Sequence, residues 1–181
     1  MTAPRPRDRE DLLLNLANAL SDQPRASMEQ LACMVGLSRA TLCRHFASRD
    51  AMLQAMSEEA MTSAELAFAR ACPNEGPVEQ AVTRLIDELL PIAELYVFVW
   101  EREHGDPALE ARAQPLRASF VALFHQWQAC GDLRVDLPAA WLVESMSALL
   151  RSAAAMIRSG RLARHDAVHG VFSLLWRGMS R

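Results

Sequence analysis

From Ser27 to Arg49 the chain reads SMEQLACMVGLSRATLCRHFASR, a run that leaves little freedom in how it folds. Ser27 is a good helix N-cap, and Gln30 three residues on completes a capping-box pattern. Leu31 and Val35, four apart, share one helix face. Gly36 follows, the residue expected where a helix stops in a left-handed conformation. Leu37 can plug the junction, Ser38 caps a second short helix, and Leu42 and Phe46 are its buried pair. Ser48 then opens a further helix, with Ala51, Leu53 and Met56 in its first turns. The expected unit is a helix-turn-helix.

Two helices held at a fixed angle can lay the second into a major groove. At about 100° per residue, Ala40 and Arg44 lie opposite the buried pair, flanked by Thr41 and Cys43. Arg39 projects from the helix N-terminus, and His45 stands near its end. Ser38 to Arg49 carries three arginines and no acid, although the whole chain has a net charge of −3. Arg39 and Arg44 can pair with guanine edges, and Thr41 can meet a thymine methyl or a phosphate. The amides opening the helices at Ser27 and Ser48 can bind phosphate. A helix–glycine–helix pattern also occurs in proteins that never touch DNA, so the pattern alone leaves a protein-binding adaptor open.

The remainder is helical. Leu13, Leu16, Ala17 and Leu20 give a first helix over 8–20, preceded by a short arm with Arg5, Arg7 and Arg9 alternating. Such an arm can follow phosphates or enter a minor groove. The helix begun at Ser48 should run to about Ala71, before the break Cys72-Pro73-Asn74-Glu75-Gly76-Pro77. Further helices are expected over 78–90, 92–104, 108–129 (with Pro115 a possible kink), 138–159 and 164–176. No alternating β-branched stretch suggests a strand, so the expected fold is all-α with about nine helices. Residues 1–50 form the helix-turn-helix domain and 51–181 the larger helical domain.

All nineteen cationic side chains are Arg, so every cationic phosphate contact must come from a guanidinium. The four cysteines show no C-x-x-C spacing, and His165 and His169 lack an evident third metal ligand; no metal or cofactor is expected. No stretch reads as a signal peptide or reaches the ~18 uncharged apolar residues of a membrane helix, so a cytoplasmic location with reduced thiols is expected. There is no catalytic triad, Gly-rich phosphate loop or nucleotide fingerprint, which argues against an enzyme.

The run LACMVGLSRATLCRHFASRDAML resembles the N-terminal domain of the TetR (tetracycline-repressor) family of bacterial transcription regulators. The matching residues are Leu31-Ala32, Val35-Gly36-Leu37-Ser38, Thr41-Leu42, His45-Phe46, Ser48-Arg49-Asp50 and Met52-Leu53. The resemblance covers residues 8–56 and makes Ser38 to Phe46 the recognition helix. DNA contacts are then expected from Ser27, Ser38, Arg39, Ala40, Thr41, Cys43, Arg44, His45 and Arg49. Two positions depart from the family pattern. Cys43 replaces a Tyr that typically touches the DNA backbone, and Arg49 replaces a Lys, with the reach to meet a phosphate still. A thiol at Cys43, beside Arg44 and His45, also raises a redox-sensing alternative.

The resemblance further implies a dimeric repressor that leaves a palindromic double-stranded DNA operator when a small-molecule effector fills the larger domain. Aromatics cluster at Tyr96, Phe98, Trp100, Phe120, Phe124 and Trp127. With Met61, Met146 and Met156 they can line an adaptable apolar cavity, with Glu101, His104, Arg117, His125 and Gln128 as polar neighbours. The expected ligand residues are Tyr96, Trp100, His104, Phe120, Phe124, Trp127 and Met146; an ordinary packed core is the alternative. The apolar surface of the 138–159 helix is too wide for one buried side. A homodimer interface is therefore expected from Leu142, Leu149, Leu150, Ala153 and Ile157, with Val168, Val171, Phe172 and Leu175 of the last helix.

Overall fold

The computed structural model describes residues 9–93, 95 and 107–180. Among them are eight α-helices: α1 (Arg9–Asp22), α2 (Met28–Met34), α3 (Arg39–His45), α4 (Arg49–Arg70), α5 (Val78–Leu89), α6 (Pro107–Cys130), α7 (Ala139–Arg158) and α8 (Arg164–Met179). A 3-10 turn, Leu90–Ile92, extends α5. The all-α expectation holds. The helix expected over 92–104 and the arm 1–8 lie outside the described residues.

Local chemistry sets the ends of the short helices. Ser27 caps α2 reciprocally with Gln30: Gln30 N donates to Ser27 Oγ (3.3 Å), and Ser27 N to Gln30 Oε1 (2.8 Å). Gly36 adopts φ 72°, a left-handed value that costs a residue with a Cβ about 1–2 kcal/mol. That conformation lets Leu37 N reach Ala32 O (2.8 Å) and Gly36 N reach Cys33 O (3.2 Å), closing α2. Ser38 and Ser48 cap α3 and α4 through Thr41 N (3.1 Å) and Ala51 N (3.0 Å).

A helix of seven residues is unstable alone, so packing holds α2 and α3. Leu31, Ala32, Val35, Leu42 and Phe46 are buried with Leu12, Leu13, Leu16 and Leu20 of α1 and Met52 and Met56 of α4. α4 continues past the short helices, where Ala60, Met61, Ala64 and Ala67 are buried too, so one helix runs along a single continuous core. α5 packs between α4 and α8, and α7 packs between α6 and α8. Arg84 of α5 donates to the carbonyls of Ala71 (2.7 Å), Cys72 (2.9 Å) and Glu75 (2.6 Å), fixing the α4–α5 turn. α6 runs unbroken through Pro115.

The α6–α7 connection clasps the end of α8. Gln128 Nε2 donates to Arg134 O and Leu137 O (both 2.8 Å), and Arg134 N donates to Met179 O (2.8 Å). Arg134 also hydrogen-bonds the Asp136 carboxylate (2.7 Å) and Gly178 O (3.0 Å). That hydrogen bond holds the Asp136 carboxyl below its ordinary range.

α7 carries Glu144, Arg151 and Arg158 and so is not an uncharged apolar stretch. By length and composition it is long and apolar enough to cross a membrane, with mean hydropathy 1.2. The cause is its two-sided apolarity: Leu142, Val143, Met146, Leu150, Ala153 and Ala154 are buried in the core, while the opposite face carries uncharged residues. Glu144 and Arg151 lie between these faces and mark a helix made for packing.

Candidate nucleic-acid interface and the cavity behind it

Leu42 of α3 and Phe46, the extended residue that caps its C-terminus, are both buried, and the inward side of Leu42 decides what faces out. Arg39, Ala40, Cys43, Arg44 and His45 are exposed, as is the cap Ser38; Thr41 is half-buried. The helical arithmetic therefore placed this face correctly. What it did not reveal is a hydrogen-bonded ladder along it. Thr41 Oγ1 lies 2.9 Å from Ser38 Oγ, and Arg44 Nη2 donates to Thr41 Oγ1 (3.2 Å). One cap serine thus organises Thr41 and leans the Arg44 guanidinium along the helix before any partner arrives. A side chain oriented in advance loses less entropy on binding.

Arg49 behaves differently from expectation. Its guanidinium turns back onto the α1–α2 turn, donating through Nη2 to Pro24 O (2.9 Å) and through Nη1 to Ala26 O. It is half-buried and engaged with protein carbonyls. Without DNA its role is to brace the α1–α2 turn, because two backbone acceptors sit within reach of the first turn of α4, and a phosphate contact would have to draw it off them. Arg9 rests over the Phe46 ring, 5.5 Å from its centroid, and so joins α1 to the end of α3. Ser27 is exposed at the start of α2, but its hydroxyl already receives the Gln30 amide. The Cys43 thiol is free and exposed on the α3 face.

In the larger domain a cavity of about 50 Å³ opens between α4, α5, α6 and α7. Ala64, Leu89, Ile92, Ala93, Phe120, Val143, Met146 and Leu150 form its apolar wall. Arg117, Glu144, Ser147 and Arg151 supply polar groups. Of the expected ligand residues, Phe120 and Met146 line it. Phe124 and Trp127 do not: both are buried, their rings 5.1 Å apart, as core packing of α6. The Phe124 and Trp127 assignments are corrected on that ground: they share the face of Phe120 but sit one and two turns farther along α6, past the cavity. Met61 is fully buried in the core as well, and Gln128 is spent on the α6–α7 clasp. Tyr96, Trp100 and His104 lie outside the described residues, as do Phe98 and Glu101. Sequence spacing missed Arg117, Glu144 and Arg151 as one polar group, since only the packing of α6 on α7 unites them.

The expected interface residues divide. Leu142, Leu150, Ala153, Val171 and Leu175 are buried inside the single chain, in contacts between α7, α8 and the core. Their apolar area is already used, so their assignment to an interface is corrected. Leu149, Ile157, Val168 and Phe172 remain half-buried. The open face of α7 is instead Trp141, Ser145, Ala148, Ser152 and Ala155, spaced four and three apart and free of charge. Trp141 is 61% exposed on it, and Leu174 of α8 is 65% exposed.

No family model matches the sequence. The chain is 33% identical over 177 residues to the HTH-type transcriptional regulator NfxB of Pseudomonas aeruginosa, with 94% of each chain covered. It is 25% identical over 177 residues to the HTH-type transcriptional repressor LfrR of Mycolicibacterium smegmatis, covering 97% of this chain and 92% of that protein. In structure it is similar to the TetR-like regulator LfrR solved in complex with proflavine, with a TM-score of 0.66, 23% identity and coverage of 92% and 94%.

Proposed function

From the premise that this chain belongs to the TetR family of transcription regulators, we propose that it is a dimeric repressor released from its operator by a small apolar or aromatic molecule. The observation that carries the DNA-binding part is the α3 face. Arg39 and Arg44 stand exposed on a helix locked by Gly36, and Ser38 and Thr41 orient Arg44 along it. A cationic, pre-oriented helix face of this kind suits base edges in a major groove. The relatives named as transcriptional regulator and repressor support the regulatory role.

Dimerisation is supported by the uncharged outer face of α7. Its small side chains at Ser145, Ala148, Ser152 and Ala155 permit close approach of a second helix, and Trp141 with Leu174 supplies area worth covering. A two-fold pair would set two α3 helices against the halves of a palindrome.

Effector control is supported by the cavity. At about 50 Å³ it is far smaller than the ~300–1,000 Å³ of ordinary ligand sites, so a ligand must part α4, α6 and α7 to enter. α4 lines the cavity at Ala64 and begins at Arg49 in the DNA-reading domain, so parting these helices displaces α3. A ligand that prefers the parted state lowers operator affinity. The proflavine complex of LfrR makes a planar aromatic molecule the first to try. Acting on DNA, the protein works in the cytoplasm.

The test is selection of bound duplexes from a random pool, followed by affinity measured against salt concentration with and without proflavine. A palindromic product, binding that weakens steeply with salt, and release by ligand are expected. Absence of binding to any duplex would overturn the reading in favour of a protein-binding adaptor.

A further inference from the structure

We infer that the α1–α2 turn, with Arg25 at its tip, is a phosphate-backbone anchor for the bound duplex. The inference rests on the reading of α3 as a DNA-binding helix. It starts from an unusual use of cations at the edge of the DNA-reading domain. Arg49 bonds the carbonyls of Pro24 and Ala26, the two residues flanking Arg25. Two backbone bonds hold the same turn from its other side: Ala26 N to Gln23 O (3.0 Å) and Gln23 N to Ala19 O (2.9 Å). The Ala26 side chain is buried. The backbone on both sides of Arg25 is therefore pinned, while the Arg25 side chain is exposed. Among the described residues it makes no hydrogen bond or ion pair.

The surroundings suit an anion. Beside Arg25 a surface cleft is lined by Gln23, Pro24, Ala26 and Gln30. Gln30 Oε1 accepts from Ser27 N, which leaves the Gln30 amide NH2 as a donor. Asp22, the acid preceding the turn, is paired with Arg158 at the end of α7, Nε to Oδ1 3.1 Å. Glu29 is exposed one position before Gln30 on α2, and Asp50 is exposed next to Arg49. A guanidinium on a rigid turn, with an amide donor alongside, matches a phosphodiester, which accepts a bidentate fork. The location favours DNA over a free anion: Arg49, at the start of α4, ties this turn to the α3–α4 junction, which puts Arg25 in the same small helical unit as the exposed α3 face.

The experiment uses the full chain as wild type, Arg25→Ala, Arg25→Lys and Arg44→Ala. Each is titrated with the duplex selected by the wild type and with an unrelated duplex, over a range of salt. Arg25→Ala is expected to weaken both duplexes by the same factor, of the order of tenfold. It should also reduce the slope of log K against log[salt] by about 0.9 for each copy of the chain bound. Arg25→Lys should keep the slope, and Arg44→Ala should weaken the selected duplex alone. Thermal melts of each variant without DNA confirm that the exposed Arg25 leaves the fold intact. Wild-type binding with unchanged affinity and slope for Arg25→Ala overturns the anchor and leaves the DNA reading standing. Loss confined to the selected duplex overturns it too, since Arg25 would then read bases. If inorganic phosphate at millimolar concentration protects the wild type but not Arg25→Ala against melting, while both bind DNA equally, the site takes free anion and the anchor is again overturned. A wild type that binds no duplex removes both readings.

Discussion

Arg49 and Arg44 show how two arginines five residues apart come to different work. Arg44 stands opposite the buried Leu42 on α3, so its face was readable from helical spacing. Arg44→Ala should cost ~1–3 kcal/mol of operator binding if it pairs with a base, measured by titration against the selected duplex. Unchanged affinity would remove Arg44 from the base contacts. Arg49 sits at the start of α4, and sequence places it beside phosphate only by resemblance. Its actual acceptors, Pro24 O and Ala26 O, lie more than twenty residues back, in a turn whose position depends on how α1 meets α4. Arg49→Lys separates the two roles, because it keeps the charge and loses the planar fork. A brace predicts a fall of ~1–3 kcal/mol in folding stability for this conservative change, read by denaturant unfolding. A direct phosphate contact predicts stability unaltered.

The helix ends were legible because capping is local chemistry. Ser27, Ser38 and Ser48 each accept from the amide three residues on, as the spacing predicts. Ser38 has a second task at this scale. Its hydroxyl also touches Thr41, and through Thr41 it positions Arg44. Ser38→Ala should cost ~1 kcal/mol in stability as a lost cap. It should also loosen Arg44, so that operator affinity falls by more than Thr41→Ala alone explains; equal losses would dismiss the ladder. Gly36→Ala places a Cβ on a residue at φ 72° and should destabilise by about 1–2 kcal/mol, seen as a lower melting temperature. α7 was legible as a helix apolar on two sides, but not which of them the core of the chain takes. Spacing alone orders residues around the helix and cannot say which arc meets α6 and α8. The core took the larger residues Leu142, Met146 and Leu150, and left outward the face that carries Ala148 and Ser152.

Across the whole molecule, two proposed events share the same helices. α7 lines the cavity with Val143, Met146 and Leu150 and presents Trp141 and Ala148 on its opposite side. In the proposed dimer, entry of a ligand on one side would be felt at the partner on the other. Ala148→Glu places a charge in the middle of that open face without touching the core. It should convert the dimer to a monomer in sedimentation and lower operator affinity by at least tenfold, while melting stays that of a folded chain. A variant that remains dimeric would move the interface elsewhere. The second connection is α4, buried with the reading domain at Met52 and Met56 and with the cavity at Ala64. Its continuity links cavity and DNA through one rigid element.

What the sequence determined by itself was everything carried by contacts within a few residues: the caps, the glycine stop, the inward side of α3 and hence its outward face, and the all-α character. The family wording of Leu31 to Leu53 added the expected role of that face. What the tertiary structure decided were the pairings across distance. Arg49 met Pro24 and Ala26, Arg117 came beside Glu144 and Arg151 around one cavity, and Phe124 and Trp127 went to the core. The physical reason is common to all three. A helix repeats its own geometry from residue to residue, so periodicity reveals its faces. The partner each face meets is set by how separate helices share buried area, a quantity that no short stretch of the chain contains.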